Sequence, residues 1–290
     1  MVNSNISKRI TEGVFRRYKR AKRKLVRLDE AKILEALQTY GAFKTDLLMV
    51  HSSLSACGSI EGGPATVINA LRSWISDRVA LAMPTHTWSY PDKTGVAPIY
   101  DYKSTPSVVG TITNYYWREP GVFRSLHPSH SLACGGPNAE QLCANHEFFE
   151  TPCGAGTPYR RIAEGNASVL MFGATMDSYT LFHTAEDAAQ SPYLYVPEQV
   201  TLRTRAADGT VKSVQMWKQD MGVARRFEAT VDWLAEQGLL VRRKLGLSEL
   251  LFIPSARAVH ETMVTTLQRD PLFLVDEKAR PEVLRRSKPA

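Results

Sequence analysis

The chain has 290 residues, 43% hydrophobic and 22% charged, with a net charge of +7. A chain of this length buries a full core without disulfides or metal, and its ordinary globular composition excludes a disordered or collagen-like class. No apolar run reaches the roughly 18 residues that a membrane helix needs, and no apolar stretch of the secretory type follows the basic N-terminus, so a cytoplasmic protein is expected.

The charge is uneven. Residues 1–30 carry ten Lys/Arg and three acids, so the excess of +7 sits there, and the other 260 residues balance 26 bases against 26 acids. The body therefore gives no charge argument for nucleic acid, and none is expected as a partner. Residues 1–28 read as a basic N-terminal arm, with Phe15, Tyr18 and Leu25 along one side if it is helical. Such an arm lies on the body or on a second copy in a homodimer, or meets a peripheral membrane surface or other polyanion. Residues 29–290 read as one domain.

From residue 30 strands and helices alternate. Ala31 to Leu37 reads as a helix stopped by Gly41. Leu47 to Val50 reads as a buried strand, and Pro64 to Ile75 as a helix with proline at its start, where the missing N–H does no harm. Val79 to Met83 reads as the next strand, ended by Pro84, and a helix follows around 108–118. Ser131–Cys134 and Ser168–Phe172 read as strands, the second ended by Gly173, and Thr180–Ala189 as a helix. Gln199–Arg205 and Thr210–Met216 flank Ala207-Asp208-Gly209, a hairpin signal. Helices at 223–237 and 255–268 close the chain, the last stopped by Asp270-Pro271. The pattern predicts an α/β protein with helices on both faces of a sheet.

Cys57, Cys134, Cys143 and Cys153 form no C-x-x-C pair and read as reduced, buried thiols. Their spacing from the histidines does not suit zinc, so no metal is expected. G-x-G-x-x-G, the P-loop and the G-x-S-x-G nucleophile elbow are all missing.

Ligands of open α/β sheets gather at the C-terminal ends of strands. Three segments there are polar or glycine-rich: His51-Ser52-Ser53-Leu54 with Gly58 and Gly62-Gly63-Pro64, then Met83-Pro84-Thr85-His86-Thr87, then the run from Gly173 to His183. His183 lies three residues after Thr180 and three before Glu186, which puts all three on one helical face. Glu186, Thr180 or the nearby Asp177 could fix its tautomer, and a neutral histidine so held takes protons near neutral pH. Arg124 has the planar donor set that matches phosphate oxygens.

Taken together, His51-Ser-Ser-Leu, Gly62-Gly-Pro, Met83-Pro-Thr, Arg124-Ser-Leu-His-Pro-Ser-His130, Thr151-Pro-Cys-Gly154 and Asp177-x-x-Thr180-x-x-His183-x-x-Glu186 resemble, in order and spacing, the aminoglycoside 3-N-acetyltransferase family. The resemblance covers about residues 30–275. It implies a three-layer α/β/α sandwich unlike that of the GNAT acetyltransferases, acetyl-CoA as co-substrate, a small-molecule amine as acceptor and no metal. By matching position it implies His183 as general base, with Glu186 and Asp177 in support and Thr180 in the same motif. His51, Ser52, Ser53, Leu54, Gly58, Arg124 and Ser125 match the segments that line the CoA side.

The acceptor is a separate question. Aminoglycosides are polycations, and the body has no acidic excess. Trp217 and Lys218 stand where family members often carry a histidine before a glycine, and Lys218 would repel a cationic drug if it faced the site. An amino sugar or other biosynthetic amine is therefore the expected acceptor. An aminoglycoside drug, and with it antibiotic resistance, is the alternative. A non-catalytic binding or scaffold relative is the alternative of another class.

Overall fold

A computed structural model describes residues 21–91 and 95–286. The strands in chain order are β1 (Arg27–Leu28), β2 (Leu47–Ser52), β3 (Ser59–Ile60), β4 (Ala80–Pro84), β5 (Ile99–Asp101), β6 (Val122–Arg124), β7 (Leu132–Gly135), β8 (Ala167–Phe172), β9 (Tyr195–Arg205), β10 (Val211–Gln219), β11 (Val241–Leu245) and β12 (Ser248–Ile253). The helices are α1 (Glu30–Gln38), α2 (Pro64–Ile75), α3 (Thr111–Tyr116), α4 (Ala139–Cys143), α5 (Pro158–Glu164), α6 (Phe182–Ala188), α7 (Thr230–Glu236), α8 (Ala256–Arg269) and α9 (Arg280–Arg286).

Seven strands form the central sheet in the order β11-β12-β8-β2-β4-β7-β6. Its middle is parallel, β2 pairing with both β4 and β8, and its flanks are antiparallel. The sheet carries a separate apolar core on each face. Leu48, Val50, Leu81, Met83, Leu170 and Phe172 pack against α1, α2 and α3, and the intervening Met49, Ala82, Val169 and Met171 pack against α5, α6, α7 and α8. This is the period-two alternation of a strand expressed on two buried faces, which is why β2 and β8 read as unbroken apolar runs. Truncating Leu48 to alanine in such a core costs about 2–5 kcal/mol. The three-layer arrangement expected from the resemblance is thus what the chain adopts.

The second helix runs over the residues that the sequence predicts, Pro64–Ile75. Others differ for local reasons. The helix expected from 108 begins at Thr111, because the Val108 N–H is held by the His86 carbonyl at 2.8 Å. The helix expected from 223 begins at Thr230, because Arg226 N donates to Leu274 O at 2.9 Å and Arg225 bridges Val275. The β11–β12 hairpin and α9 go unmarked by the sequence pattern. Beside the main sheet, β9 and β10 form the expected hairpin, joined in parallel by β5.

Most of the expected basic arm lies outside the described residues. Of its described part, residues 21–25 are helical, Leu25 is exposed, and Arg27–Leu28 pair in parallel with β3. The chain is therefore tied to the body just inside the segment expected as arm. Among the described residues no helix is long and apolar enough to cross a membrane.

Candidate active site

A cleft of about 610 Å³ opens where the parallel strands end. Its walls include His51 and Ser52 at the end of β2, Pro84 and His86 at the end of β4, and Asp177, Thr180 and His183 in the segment after β8. Gln219 from the end of β10, Arg225 and His130 add to the polar lining, as do Tyr90, Thr113, Ser178 and Tyr179. This is the strand-end position at which open α/β sheets collect ligands.

His183 sits in the first turn of α6, where its N–H donates to Thr180 O at 3.0 Å. Glu186, one turn on, is fully buried, and its Oε2 lies 2.6 Å from His183 Nδ1. Burial pushes the Glu186 carboxyl up, but His183 and Arg225 outweigh it and hold the group below its usual range. An ionised carboxylate only accepts, so Nδ1–H donates to it, and in the neutral imidazole Nε2 is the nitrogen that carries the lone pair. Nε2 has no hydrogen-bond partner among the described residues, and His183 lines the cleft. Arg225 closes the far side of the pair, its Nε 3.4 Å from Glu186 Oε1 and its Nη1 bonded to Asp220 O and Val223 O.

Of the three groups that the sequence offers for fixing the imidazole, Glu186 makes the bond. Asp177 lines the cleft, but its Oδ1 accepts from the backbone N–H of Glu228 at 3.0 Å. It thereby ties the turn after β8 to the turn before α7. Thr180 contributes its carbonyl to His183 N and lines the cleft beside it.

The residues expected on the CoA side separate into two groups. His51 and Ser52 line the cleft, and neither His51 Nε2 nor Ser52 Oγ has a hydrogen-bond partner among the described residues. Burial pushes the His51 imidazole down to about 3, so it is neutral at physiological pH. Ser53 instead donates its N–H to Phe172 O at 2.9 Å, and Leu54 packs on the core beneath. Gly58 lies at φ +134, and a Cβ there would stand 2.8 Å from Val26 O, so it serves the close passage of two chain segments.

Arg124 and Ser125 stand outside the cleft lining and bond to the protein. The Arg124 guanidinium is buried, donating to Thr85 Oγ1, Thr85 O and Thr105 O, with the Trp117 ring 4.4 Å away. Three of its five N–H donors are thus placed on protein oxygens. Ser125 Oγ accepts from Leu132 N at 2.8 Å and lies 2.9 Å from His146 Nδ1, while His146 Nε2 donates to Pro152 O at 3.0 Å. One proton per bond is available, so Ser125 gives its own to His146.

The sequence marks His86 by its strand-end segment and His130 by its motif, but gives neither a role, and it does not mark Gln219 or Arg225. His86 Nε2 lies 3.0 Å from the Tyr159 hydroxyl, whose own proton goes to Ser131 O, so His86 donates there. Burial, aided by the neighbouring histidines, pushes His86 well down, and burial holds His130 at about 3.

Lys218, expected to repel a cation if it faced the site, points elsewhere. Its Nζ lies 3.8 Å from Glu198 Oε1 across the β9–β10 pair, with both side chains largely exposed. A second cavity, of about 870 Å³, is lined by Asp187, Asp220, Tyr193, Tyr195 and Trp217 and reaches the back of Glu186.

Comparison with known proteins defines the class. The aminoglycoside 3-N-acetyltransferase family profile matches residues 49–267. Aminoglycoside N(3)-acetyltransferase IV of Salmonella is 31% identical over 246 residues, covering 85% of this chain and 90% of that protein. A mutant of aminoglycoside acetyltransferase AAC(3)-IVa in complex with a gentamicin superposes with a TM-score of 0.75 at 28% identity, covering 90% of this chain and 98% of the other. The binary complex of AAC-IIIb with CoASH shares the fold, with a TM-score of 0.72 at 23% identity over 84% and 97% of the two chains. The chain belongs to the aminoglycoside 3-N-acetyltransferase family.

Proposed function

We propose that the protein transfers the acetyl group of acetyl-CoA directly to an amine of an aminoglycoside, with His183 as general base. The observation that carries this reading is the His183–Glu186 pair, whose Nδ1···Oε2 separation of 2.6 Å leaves Nε2 as the basic atom on a cleft wall. His183 Nε2 takes a proton from the acceptor nitrogen as its lone pair attacks the acetyl carbon, and Glu186 stabilises the imidazolium that forms. A thioester already has a good leaving group, so no covalent enzyme intermediate is required. Base assistance of this kind contributes about 10²–10⁴-fold, and holding both reactants in one cleft supplies much of the rest.

The donor side fits a polar, carbonyl-bearing ligand, since His51 Nε2 and Ser52 Oγ stand on the cleft wall with no protein partner among the described residues. The acceptor reading rests on the relatives, whose names specify aminoglycosides. The charge argument for an amino sugar loses its main support once Lys218 is seen to pair with Glu198 away from the cleft.

Thiol release from acetyl-CoA, followed with gentamicin and with glucosamine, tests the proposal. The expected result is a kcat/KM for gentamicin at least about tenfold higher, a difference of about 1.4 kcal/mol in transition-state binding. Release with glucosamine alone would leave the transferase and overturn the acceptor. No release with any amine would favour the non-catalytic alternative.

A further inference from the structure

We infer that His51, through Nε2–H, and Ser52, through its hydroxyl, donate to the thioester carbonyl oxygen of acetyl-CoA and stabilise the oxyanion that forms there. This inference rests on the proposed transfer reaction and adds two catalytic residues to it.

Three observations carry it. First, His51 is almost wholly buried, yet Nε2 has no hydrogen-bond partner among the described residues, and the same is true of the adjacent Ser52 Oγ. Buried polar atoms of native proteins are nearly always paired, so two successive exceptions at the cleft end of one strand call for an occupant. Tyr90, Tyr179, Gln219 and Arg225 also carry an unpaired buried atom on this cleft, whereas His51 and Ser52 are adjacent at the end of β2, where the strand fixes both.

Second, the position is fixed by the most rigid part of the fold. β2 is the middle strand of the parallel segment, paired with β8 through His51–Met171 and Ser52–Phe172. The chain then turns at once, because Ser53 N is held by Phe172 O. Gly173 permits this close passage: it lies at φ +65, and a Cβ there would meet Cys57 Sγ at 2.7 Å and Ser53 O at 3.1 Å. Donors aimed by a central strand need no rearrangement when charge develops, which is what makes an oxyanion site effective. The nearby Ser53 N–H, otherwise a natural candidate for that role, is consumed by the Phe172 carbonyl.

Third, the chemistry needs the base and the donors on different walls. His183 comes from α6 and His51 from β2, and both face the one cleft. The Tyr179 ring, 5.9 Å from that of His51, lies in the segment that leads to α6. A neutral imidazole suits the donor role, since it gives a hydrogen bond without competing with His183 for the amine's proton.

The amine lone pair forms the C–N bond, the C=O pair moves onto oxygen, and His51 and Ser52 hydrogen bonds hold the resulting charge. His183 Nε2 takes the amine proton. The oxygen pair then re-forms C=O, the C–S pair leaves with sulfur, and His183 returns its proton to give the free thiol of CoA and the amide.

The test compares His51→Ala, His51→Gln and Ser52→Ala with the wild type, measuring kcat by thiol release and Kd for CoA itself by calorimetry. CoA lacks the acetyl carbonyl, so the account predicts a Kd within about twofold of wild type for all three. It predicts a fall in kcat of about 10²–10³-fold for His51→Ala, a smaller fall for Ser52→Ala, and partial recovery in His51→Gln, which keeps a neutral donor. Weaker CoA binding in proportion to the lost activity would overturn the inference and make His51 a contact to the rest of CoA. An unchanged kcat in His51→Ala would also overturn it. A wild type that binds CoA but releases no thiol with any amine would instead sink the transfer reaction on which it rests.

Discussion

His146 and His183 are both held by hydrogen bonds, yet they face opposite fates. His146 is fully buried, with Ser125 Oγ on one nitrogen and Pro152 O on the other. His183 shares one nitrogen with Glu186 and turns the other to a cleft. The same division separates Arg124, with its donors on Thr85 and Thr105, from His51, which keeps an unpaired nitrogen on the cleft wall. Residue type does not tell structure from chemistry here. What decides is whether an unpaired polar atom faces the cleft.

The largest effect expected from breaking this division is at Glu186. Glu186→Ala removes the acceptor that fixes the His183 tautomer and leaves Arg225 beside an empty, buried place. Activity should fall by about 10²–10⁴-fold, and stability by about 3–5 kcal/mol, read by thiol release and by urea denaturation. Retained stability would mean that the pair is solvated rather than buried.

On the structural side, Arg124→Ala should destabilise by about 2–3 kcal/mol, the scale of hydrogen bonds to a charged group. The folded fraction should keep its affinity for CoA. A large loss of CoA affinity without loss of stability would restore the phosphate role that the sequence suggests.

A smaller and graded effect is expected with pH. Burial holds His51, His130 and His146 at about 3, whereas an unfolded histidine titrates near about 6.5. Between those values the unfolded chain binds more protons than the native one. Stability should therefore be complete above about pH 6.5 and fall as the pH drops toward about 3. Denaturation midpoints that stay flat from about pH 6.5 to 4 would show that these rings are hydrated.

How much of this is legible in the sequence depends on distance along the chain. The Pro64–Ile75 helix can be read residue by residue because proline marks its start. The His183–Glu186 pair can be read because three residues on a helix put two side chains on one face. The β11–β12 hairpin is hidden because Arg242, Arg243 and Lys244 give its outer strand the charge of a solvent edge rather than an apolar period. Arg225 is hidden because it meets Glu186 across 39 positions of sequence, a partnership that only the tertiary fold creates. The same holds for Arg124, whose guanidinium meets Thr85 across 39 positions of sequence.

The measurement that tests the central claim most directly is kcat/KM for acetyl transfer to gentamicin in His183→Ala, with circular dichroism and thermal melting alongside. The account predicts a loss of about 10²–10⁴-fold with the fold kept, and a lowered melting temperature because the buried Glu186 carboxylate loses its partner. Turnover within a few-fold of wild type in a folded His183→Ala protein would contradict it.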